Sequence, residues 1–160
     1  RLLGPGGDGV GSTRLVVEYL RGRLPFLVRG GLSVSDVRDV ADCHVQALEN
    51  GVSGERYILA GHNRTLSQIA TDLERLTGGP RVRRAPLALA KAVACLSELA
   101  SRFGSHDYEE LNLPFVRRLG SYAVDDSTKA QREIGYTIRP YESILRDNIN
   151  DLSPRLTALN

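Results

Sequence analysis

One continuous stretch, residues 33–61, constrains the fold more than any other part of the chain. Its first part, Ser35 to Leu48, carries apolar residues at helical spacing and predicts a helix entered from a short extended segment. The apolar face of that helix consists of Val37, Val40, Ala41, Val45 and Leu48. Asp36 and Asp39 lie near the helix start, where a carboxylate accepts from free N–H groups and meets the positive end of the helix dipole. We therefore expect both aspartates to act as helix caps.

A short apolar run follows this helix and predicts a strand. Asn50 and Gly51 supply a C-terminal stop for the helix. After a polar turn, Tyr57 to Ala60 form an apolar run of strand-forming residues ended by Gly61, and we expect a strand over Arg56 to Ala60. A helix that leads into a buried strand is half of a crossover unit, so the stretch predicts a parallel sheet and an α/β fold. We expect the rest of that sheet to come from residues outside this chain.

The composition is that of a globular protein with a small net charge. The chain has 160 residues, enough for one domain with a core, of which 41% are hydrophobic and 25% charged. Its 21 basic and 19 acidic residues give a net charge of +2. The basic residues are scattered apart from two small clusters, Arg81 to Arg84 and Arg117-Arg118, and aromatic residues make up only 6%. This pattern argues against a nucleic-acid partner.

The cysteines and histidines suggest no metal site or disulfide. Cys43 and Cys95 lie among apolar neighbours on predicted helix faces. We therefore interpret them as small buried hydrophobic residues of a protein in a reducing compartment. The three histidines are isolated from other ligand-type residues. No stretch is long and uncharged enough to span a bilayer. We expect a cytoplasmic protein without a membrane partner or a bound metal.

The segment from Gly4 to Gly9 satisfies the G-x-G-x-x-G pattern, which in other proteins holds a dinucleotide pyrophosphate. That function needs a strand before the glycines, and only three residues precede Gly4. Pro5 would also remove one N–H from the phosphate cradle. We interpret the segment as a loop that leads into a helix over Ser12 to Leu20.

Beyond Gly61 the pattern becomes helical. Thr65 and Gln68 form a capping box, the start of a helix that Gly78 ends. Further helices are predicted over Pro86 to Phe103, over Asp107 to Leu119 with an interruption at Pro114, from Asp126 or Ser127 to Gly135, and from Pro140 onward with a frayed tail after Ser153. The sequence thus predicts a mainly helical region over residues 61–160.

Four segments, taken in order, resemble the extended short-chain dehydrogenase/reductases, in their NAD(P)-dependent epimerase, dehydratase and dihydroflavonol-reductase-like branch. They are GPGGDG at Gly4 to Gly9, RGRLPFLVRGGLSVSDVRDVA at Arg21 to Ala41, DVRDVADCHVQAL with the following GERYILAG, and DDSTKAQREIGY at Asp125 to Tyr136. The resemblance implies the C-terminal portion of a Rossmann-type fold. Residues 1–60 would supply its last loop, helix and strand elements, and residues 61–160 a helical substrate-binding cap.

The resemblance also implies NAD or NADP as the cofactor of the full-length protein, with a Tyr-x-x-x-Lys pair for proton transfer. None of the six tyrosines of this chain has a lysine four positions later. The closest arrangement is Tyr19 with Arg23, and an arginine does not titrate usefully. We therefore assign no catalytic or cofactor-binding residue here, and expect that this chain alone does not bind NAD(P).

What the chain would contribute is the substrate side. By resemblance, the residues that border the substrate are Gly4, Pro5, Gly6, Arg29, Asp36, Arg117 and Arg118. In sugar-nucleotide members an arginine that binds the diphosphate stands at the position of Leu32, a departure that favours the reductase-like branch. For the arginines, solvated surface charge is the alternative interpretation, and for Asp36 it is helix capping.

Two functions follow as hypotheses. The first is the substrate-binding half of an NAD(P)-dependent oxidoreductase or epimerase that acts on a hydroxyl or carbonyl of a small molecule, either reductase-like or sugar-derived. The second is a non-catalytic nucleotide-sensing or scaffold member of the same fold. The partners implied are the small-molecule substrate, the N-terminal Rossmann half and, for the full-length protein, a second copy in a homodimer.

Overall fold

The computed structural model describes residues 2–6, 13–24, 26–86, 88–89 and 122–157. In chain order the elements are β1 (Leu2–Leu3), α1 (Arg14–Leu20), β2 (Gly31–Asp36), α2 (Val37–Asn50), β3 (His62–Thr65), α3 (Leu66–Thr77), β4 (Tyr122–Ala123), α4 (Thr128–Ile134) and α5 (Tyr141–Thr157). The helix predicted over Asp107 to Leu119, and with it Arg117 and Arg118, lies outside the described residues. So does most of the helix predicted from Pro86.

Strand β2 is the centre of a small mixed sheet. β1 pairs with it in parallel, with Leu2 opposite Ser35, after a crossover that contains α1. β3 pairs with β2 in antiparallel register, with Gly31 opposite Thr65, and β4 pairs with it in parallel. The predicted α/β fold with a parallel strand and a crossover helix is therefore confirmed, with β1–α1–β2 as the crossover unit.

The predicted strand at Arg56 to Ala60 is wrong. These residues form an extended loop beside β2, held by two serine hydroxyls instead of a strand ladder. Ser35 Oγ donates to the Leu59 carbonyl oxygen at 3.2 Å, and the Gly61 N–H donates to Ser33 Oγ at 3.1 Å. Tyr57 and Leu59 pack against a small hydrophobic cluster between α2 and α4. The apolar residues of this segment therefore face helices and do not form a strand. The strand that pairs with β2 is the next one, β3.

Helix α2 forms as predicted, but its apolar face is not covered. Asp36 caps it by accepting from the Arg38 N–H at 2.8 Å. Val45 is 58% exposed and Leu48 88% exposed, so much of the apolar face identified from the sequence is open to solvent within the described residues. The helix instead turns Asp39 and Cys43 inward, where Cys43 packs against α4. Helical spacing identifies an apolar stripe and leaves open what covers it.

The main core lies between β2 and helices α1, α3 and α5. Its most deeply buried members are Val16, Val34, Leu66, Leu73, Ile144 and Leu145. The predicted capping box of α3 is present, with Gln68 N–H donating to Thr65 Oγ1 at 3.1 Å. Gly78 ends α3 at φ +65°, a left-handed conformation that favours glycine.

Helix α5 extends further than the sequence predicts. It continues through Pro154 to Thr157, so the fraying predicted after Ser153 is wrong. Its buried residues, among them Ile149 and Leu152, anchor the last turns to the core. Within the part of the chain that the structure describes, no helix has the length and apolarity needed to cross a membrane.

Candidate functional site

Three chain segments meet at the start of β2 and enclose a cleft. The Leu27 N–H donates to the Arg83 carbonyl oxygen, and the Ala85 N–H donates to the Leu27 carbonyl oxygen, both at 2.8 Å. The Leu66 N–H, at the start of α3, donates to the Gly30 carbonyl oxygen at 3.0 Å. These backbone bonds hold residues 27–30 between residues 83–85 and the first turn of α3. They also place Arg29 and Arg84 on one cavity.

That cavity has a volume of about 560 Å³. Its lining is mostly polar: Arg29, Gly30, Arg64, Thr65, Ser67, Gln68, Thr71, Asp72, Arg84 and Tyr122. Two further cavities of about 550 and 780 Å³ share Leu27, Ser67 and Arg84 with each other along the same side of α3. We refer to the three together as the α3 cleft. Each of the three cavities by itself has a volume in the range that small-molecule sites occupy.

The charges around the α3 cleft are unbalanced. Arg29, Arg64 and Arg84 line the first cavity, and Asp72 is the single carboxylate beside them. Asp72 itself lies 3.7 Å from Arg75. Within the described residues no carboxylate forms an ion pair with any of the three lining arginines. The cleft therefore presents a net positive surface.

Arg64 is the most firmly placed of these arginines. It lies in β3, directly opposite Leu32 of β2. Its guanidinium carbon stands 4.8 Å from the ring centroid of Tyr141, a cation–π contact. The Tyr141 ring is buried, and burial is the main cause that raises its pKa. Tyr141 thus stays neutral and orients the guanidinium. The family resemblance would place an arginine at the position of Leu32. In this chain the arginine is Arg64, on the neighbouring strand directly opposite Leu32.

The glycine loop at the other end of β2 is held by α5. Asn148 Nδ2 donates to the Gly4 carbonyl oxygen at 3.1 Å, and the Gly6 N–H donates to Asp151 Oδ2 at 3.0 Å. Asn148 is fully buried. A pyrophosphate does not fit this part of the loop, because Pro5 has no N–H and the Gly6 N–H already faces a carboxylate. The described glycines are therefore unsuited to hold NAD(P).

Asp36 is the buried centre of an ion-pair cluster whose two arginines are each more than one third exposed. Arg38 donates to both of its carboxylate oxygens, at 2.9 and 2.7 Å, and Arg139 reaches it at 3.4 Å. Burial alone would raise the pKa of Asp36, but the hydrogen bonds from Arg38 and the charges of both arginines outweigh it and lower that pKa. The predicted capping role of Asp36 is confirmed. Its role at a substrate remains a prediction.

The structure does not bring all the predicted substrate residues together. Gly4, Pro5, Gly6 and Asp36 lie at the C-terminal end of β2, whereas Arg29 precedes its first residue. A six-residue strand separates the two groups by roughly 17 Å at about 3.3 Å per residue. Arg29 instead lines the same cavity as Arg64 and Arg84. Arg64 was missed because β3 was not predicted, although the Arg81 to Arg84 cluster was a visible signal for Arg84.

The described residues form no cluster of His, Cys, Asp and Glu that could hold a metal ion. The lone cysteine there, Cys43, is buried on α2, and burial raises the pKa of its thiol. It is therefore an inert packing residue within this part of the chain. Chemistry at the α3 cleft rests on arginine, hydroxyl and amide donors.

Comparisons with known proteins place this unit among Rossmann-fold epimerases and reductases. No protein-family model matches the chain. It is 35% identical over 124 residues to sterol demethylase protein B of Methylococcus capsulatus, covering 76% of this chain and 38% of that protein. It is 29% identical over 142 residues to a dihydroflavonol 4-reductase-like protein of Synechocystis, covering 85% and 41%. The chain thus spans about two fifths of the length of the curated relatives it matches.

Solved structures agree with this assignment. A nucleoside-diphosphate-sugar epimerase from Pseudomonas aeruginosa superposes with a TM-score of 0.75 at 25% identity, covering 96% of this chain and 46% of that one. Two structures of the same fold, at 16% and 13% identity with TM-scores of 0.61 and 0.56, contain NAD and NADPH. The chain is related to epimerases and reductases of this fold, and the resemblance to the NAD(P)-dependent epimerase and reductase family that was identified from the sequence is confirmed.

Proposed function

We propose that this chain is the substrate-binding part of an NAD(P)-dependent oxidoreductase or epimerase that acts on a hydroxyl or carbonyl of a small molecule. The observation that supports this is the α3 cleft, a concave polar site of small-molecule size in a chain related to epimerases and reductases. Sites of this kind orient a ligand through a few convergent polar groups.

The chain's own residues would bind and orient the substrate. Ser67 and Gln68 both lie on the cavity lining and can donate hydrogen bonds. Ser67 donates through its hydroxyl group. Gln68 donates through its NH₂ group, because only its Oε1 is used in the Thr65 cap. NAD or NADP would supply hydride transfer from the Rossmann part of the protein. The loop at Gly4 to Gly6 does not fit the pyrophosphate of the cofactor, so we assign it no step through the cofactor.

The division of roles can be tested by cofactor binding. Calorimetric titration with NADH and NADPH is expected to show negligible binding to chain 1–160 and micromolar binding to the full-length protein. Micromolar affinity of the chain alone would contradict the proposal. Cofactor binding by the full-length protein without turnover of any hydroxyl or carbonyl compound would favour the nucleotide-sensing alternative.

A further inference from the structure

The last helix reaches the edge of the sheet where both parallel strands end. β1 ends at Leu3 and β2 at Asp36, and these two residues are partners in the ladder. The glycine loop, Gly4 to Gly6, therefore begins beside the first turn of α2, and a Cβ atom on Gly4 would lie 2.5 Å from Val37 Cγ1. Three side chains of α5 reach this edge: Asp147, Asn148 and Asp151. Open α/β sheets bind their ligands outside the carboxyl ends of parallel strands, so α5 contacts the edge that a ligand of this fold approaches.

Asn148 is a buried amide of which only one side is used. Its Nδ2 donates to the Gly4 carbonyl oxygen at 3.1 Å, whereas its Oδ1 has no partner among the described residues. A buried polar atom without a partner costs stability, and a leucine would fill a similar volume without that cost. Sequences break a packing rule of this kind mainly at functional sites. The bond to the glycine loop is the feature that a leucine could not supply.

Asp151 holds the same loop two residues further on. The Gly6 N–H donates to Asp151 Oδ2 at 3.0 Å, and Arg155 lies 3.1 Å from the same oxygen and orients the carboxylate. Pro5 has no N–H, so the Gly6 N–H is the first amide after Gly4 that can make such a bond. Gly4 and Gly6 have φ values of +150° and +86°, and glycines give a backbone several accessible conformations. The two bonds from α5 select one of them.

We propose that Asn148 and Asp151 are positioning residues, which fix the glycine loop in one conformation at the carboxyl edge of the sheet. This deepens the proposed function and rests on it for the identity of the reaction. The same helix carries Tyr141, which lies under the Arg64 guanidinium of the α3 cleft. Tyr141 and Asn148 are seven residues apart (148 − 141), or about 10 Å along a helix. One rigid element thus supports both the α3 cleft and the loop, which keeps groups of a bound substrate in a fixed relation to each other.

Hydrogen exchange at the Gly6 N–H of the full-length protein tests the proposal. Asp151→Ala removes the acceptor and should raise the exchange rate about tenfold or more. Asp151→Asn keeps an oxygen acceptor and should restore most of the protection. Asn148→Leu does not touch Gly6, yet it should also raise the exchange rate because the loop loses its bond at Gly4. The melting temperature of Asn148→Leu should stay close to that of the unsubstituted protein, since leucine removes the unpartnered Oδ1 and adds apolar burial.

Kinetics separate positioning from a purely structural role. With NADPH and benzaldehyde as the probe, Asp151→Ala and Asn148→Leu should each lower kcat about tenfold, because a displaced loop impairs orientation more than binding. The KM for benzaldehyde should change little. Asp151→Asn should recover most of kcat. Arg146→Gln is the matched control, since Arg146 lies on the same helix, is 56% exposed and pairs with Glu142. The control should change neither the exchange at Gly6 nor kcat.

The proposal is overturned if Asn148→Leu leaves the exchange at Gly6 unchanged, or if its losses only follow a fall in melting temperature. It is also overturned if Arg146→Gln has the same effects. A full-length protein that binds NADPH but neither reduces benzaldehyde nor oxidises benzyl alcohol would count against the reductase form of the proposed function. Exchange and melting of the variants would then still show whether α5 fixes the glycine loop.

Discussion

Arg139 binds Asp39 twice, although the two residues are 100 positions apart. Its backbone N–H donates to Asp39 Oδ2 at 2.8 Å, and its guanidinium lies 2.7 Å from Asp39 Oδ1. Asp39 is buried on α2, and Arg139 lies just before α5. This pair therefore ties the first turn of α2 to the entry of the last helix.

Replacing Asp39 with Ala should destabilise the fold by about 2 kcal/mol, between the values for exposed and buried ion pairs. The variant leaves the Arg139 N–H without its acceptor and removes the nearest charge from the guanidinium. Urea unfolding at sub-micromolar concentration, followed by tyrosine fluorescence, measures the effect. Asp42→Ala is the control, because Asp42 is 67% exposed and stands 3.8 Å from Arg139. Equal losses in the two variants would contradict the assigned role of Asp39.

Asp36 predicts a defined dependence of stability on pH. Its pKa is lowered in the folded state, so its stabilising contribution is present above its unfolded pKa, near 3.8, and is lost as pH falls through the folded pKa. The wild-type chain should exceed Asp36→Asn in unfolding free energy by about 2 kcal/mol at pH 7. Urea unfolding of both proteins at sub-micromolar concentration, where association is weakest, should show this difference shrinking below pH 4 as the pH is lowered from 7 to 3. A difference that stays constant over that range would rule out the ionised Asp36 as its cause.

The helices were more predictable than the strands, because helices are determined by residues close in sequence. Capping at Asp36 and at Thr65 with Gln68 involves residues close in sequence, and both caps are present. Pairing in the sheet is not local: β2 has three partners, one of which, β4, is 91 residues further on (122 − 31). The four-residue strand β3 reads His-Asn-Arg-Thr, which has no apolar pattern. This segment forms a strand because it pairs with β2.

The site was predictable only in part for the same reason. Arg29 was selected from the sequence because the family resemblance places its segment beside the substrate. Its neighbours Arg64 and Arg84 are brought to it by the β2–β3 ladder and the Leu27 bridge, which link segments 35 and 57 residues apart (64 − 29 and 84 − 27). Side-chain chemistry alone could not choose these two from nineteen arginines and two lysines.

Gly61 should tolerate no larger residue. A Cβ atom at Gly61 would overlap the Val34 carbonyl oxygen, which belongs to the central strand and cannot move aside cheaply. We expect Gly61→Ala to cost about 3 kcal/mol, at the upper end for overpacking. Gly54→Ala is the matched comparison: its φ of +83° strains an alanine, but no atom lies within 4 Å of the new Cβ. That variant should lose only about 1 kcal/mol. Thermal melting of both proteins decides between steric overlap and conformational strain.

The uncovered face of α2 predicts how chain 1–160 behaves alone. Val37, Val45 and Leu48 are exposed on this helix, and Leu2 is exposed on β1, which in the described residues pairs only with β2. An apolar helix face beside an open strand edge is a route to association. In our proposal the Rossmann part of the protein covers both, so co-expression with that part should give a monodisperse complex.

Chain 1–160 by itself should therefore associate or aggregate, and sedimentation velocity measures this directly. Combined Val45→Lys and Leu48→Lys substitutions should shift it toward monomer, because they place two charges on the exposed face without touching the core. Val124→Lys is the control, since Val124 is 63% exposed but lies outside α2. It should leave association unchanged. A monodisperse monomer with a cooperative melt, formed by the unsubstituted chain, would show that the chain is a complete domain and that the α2 face needs no partner.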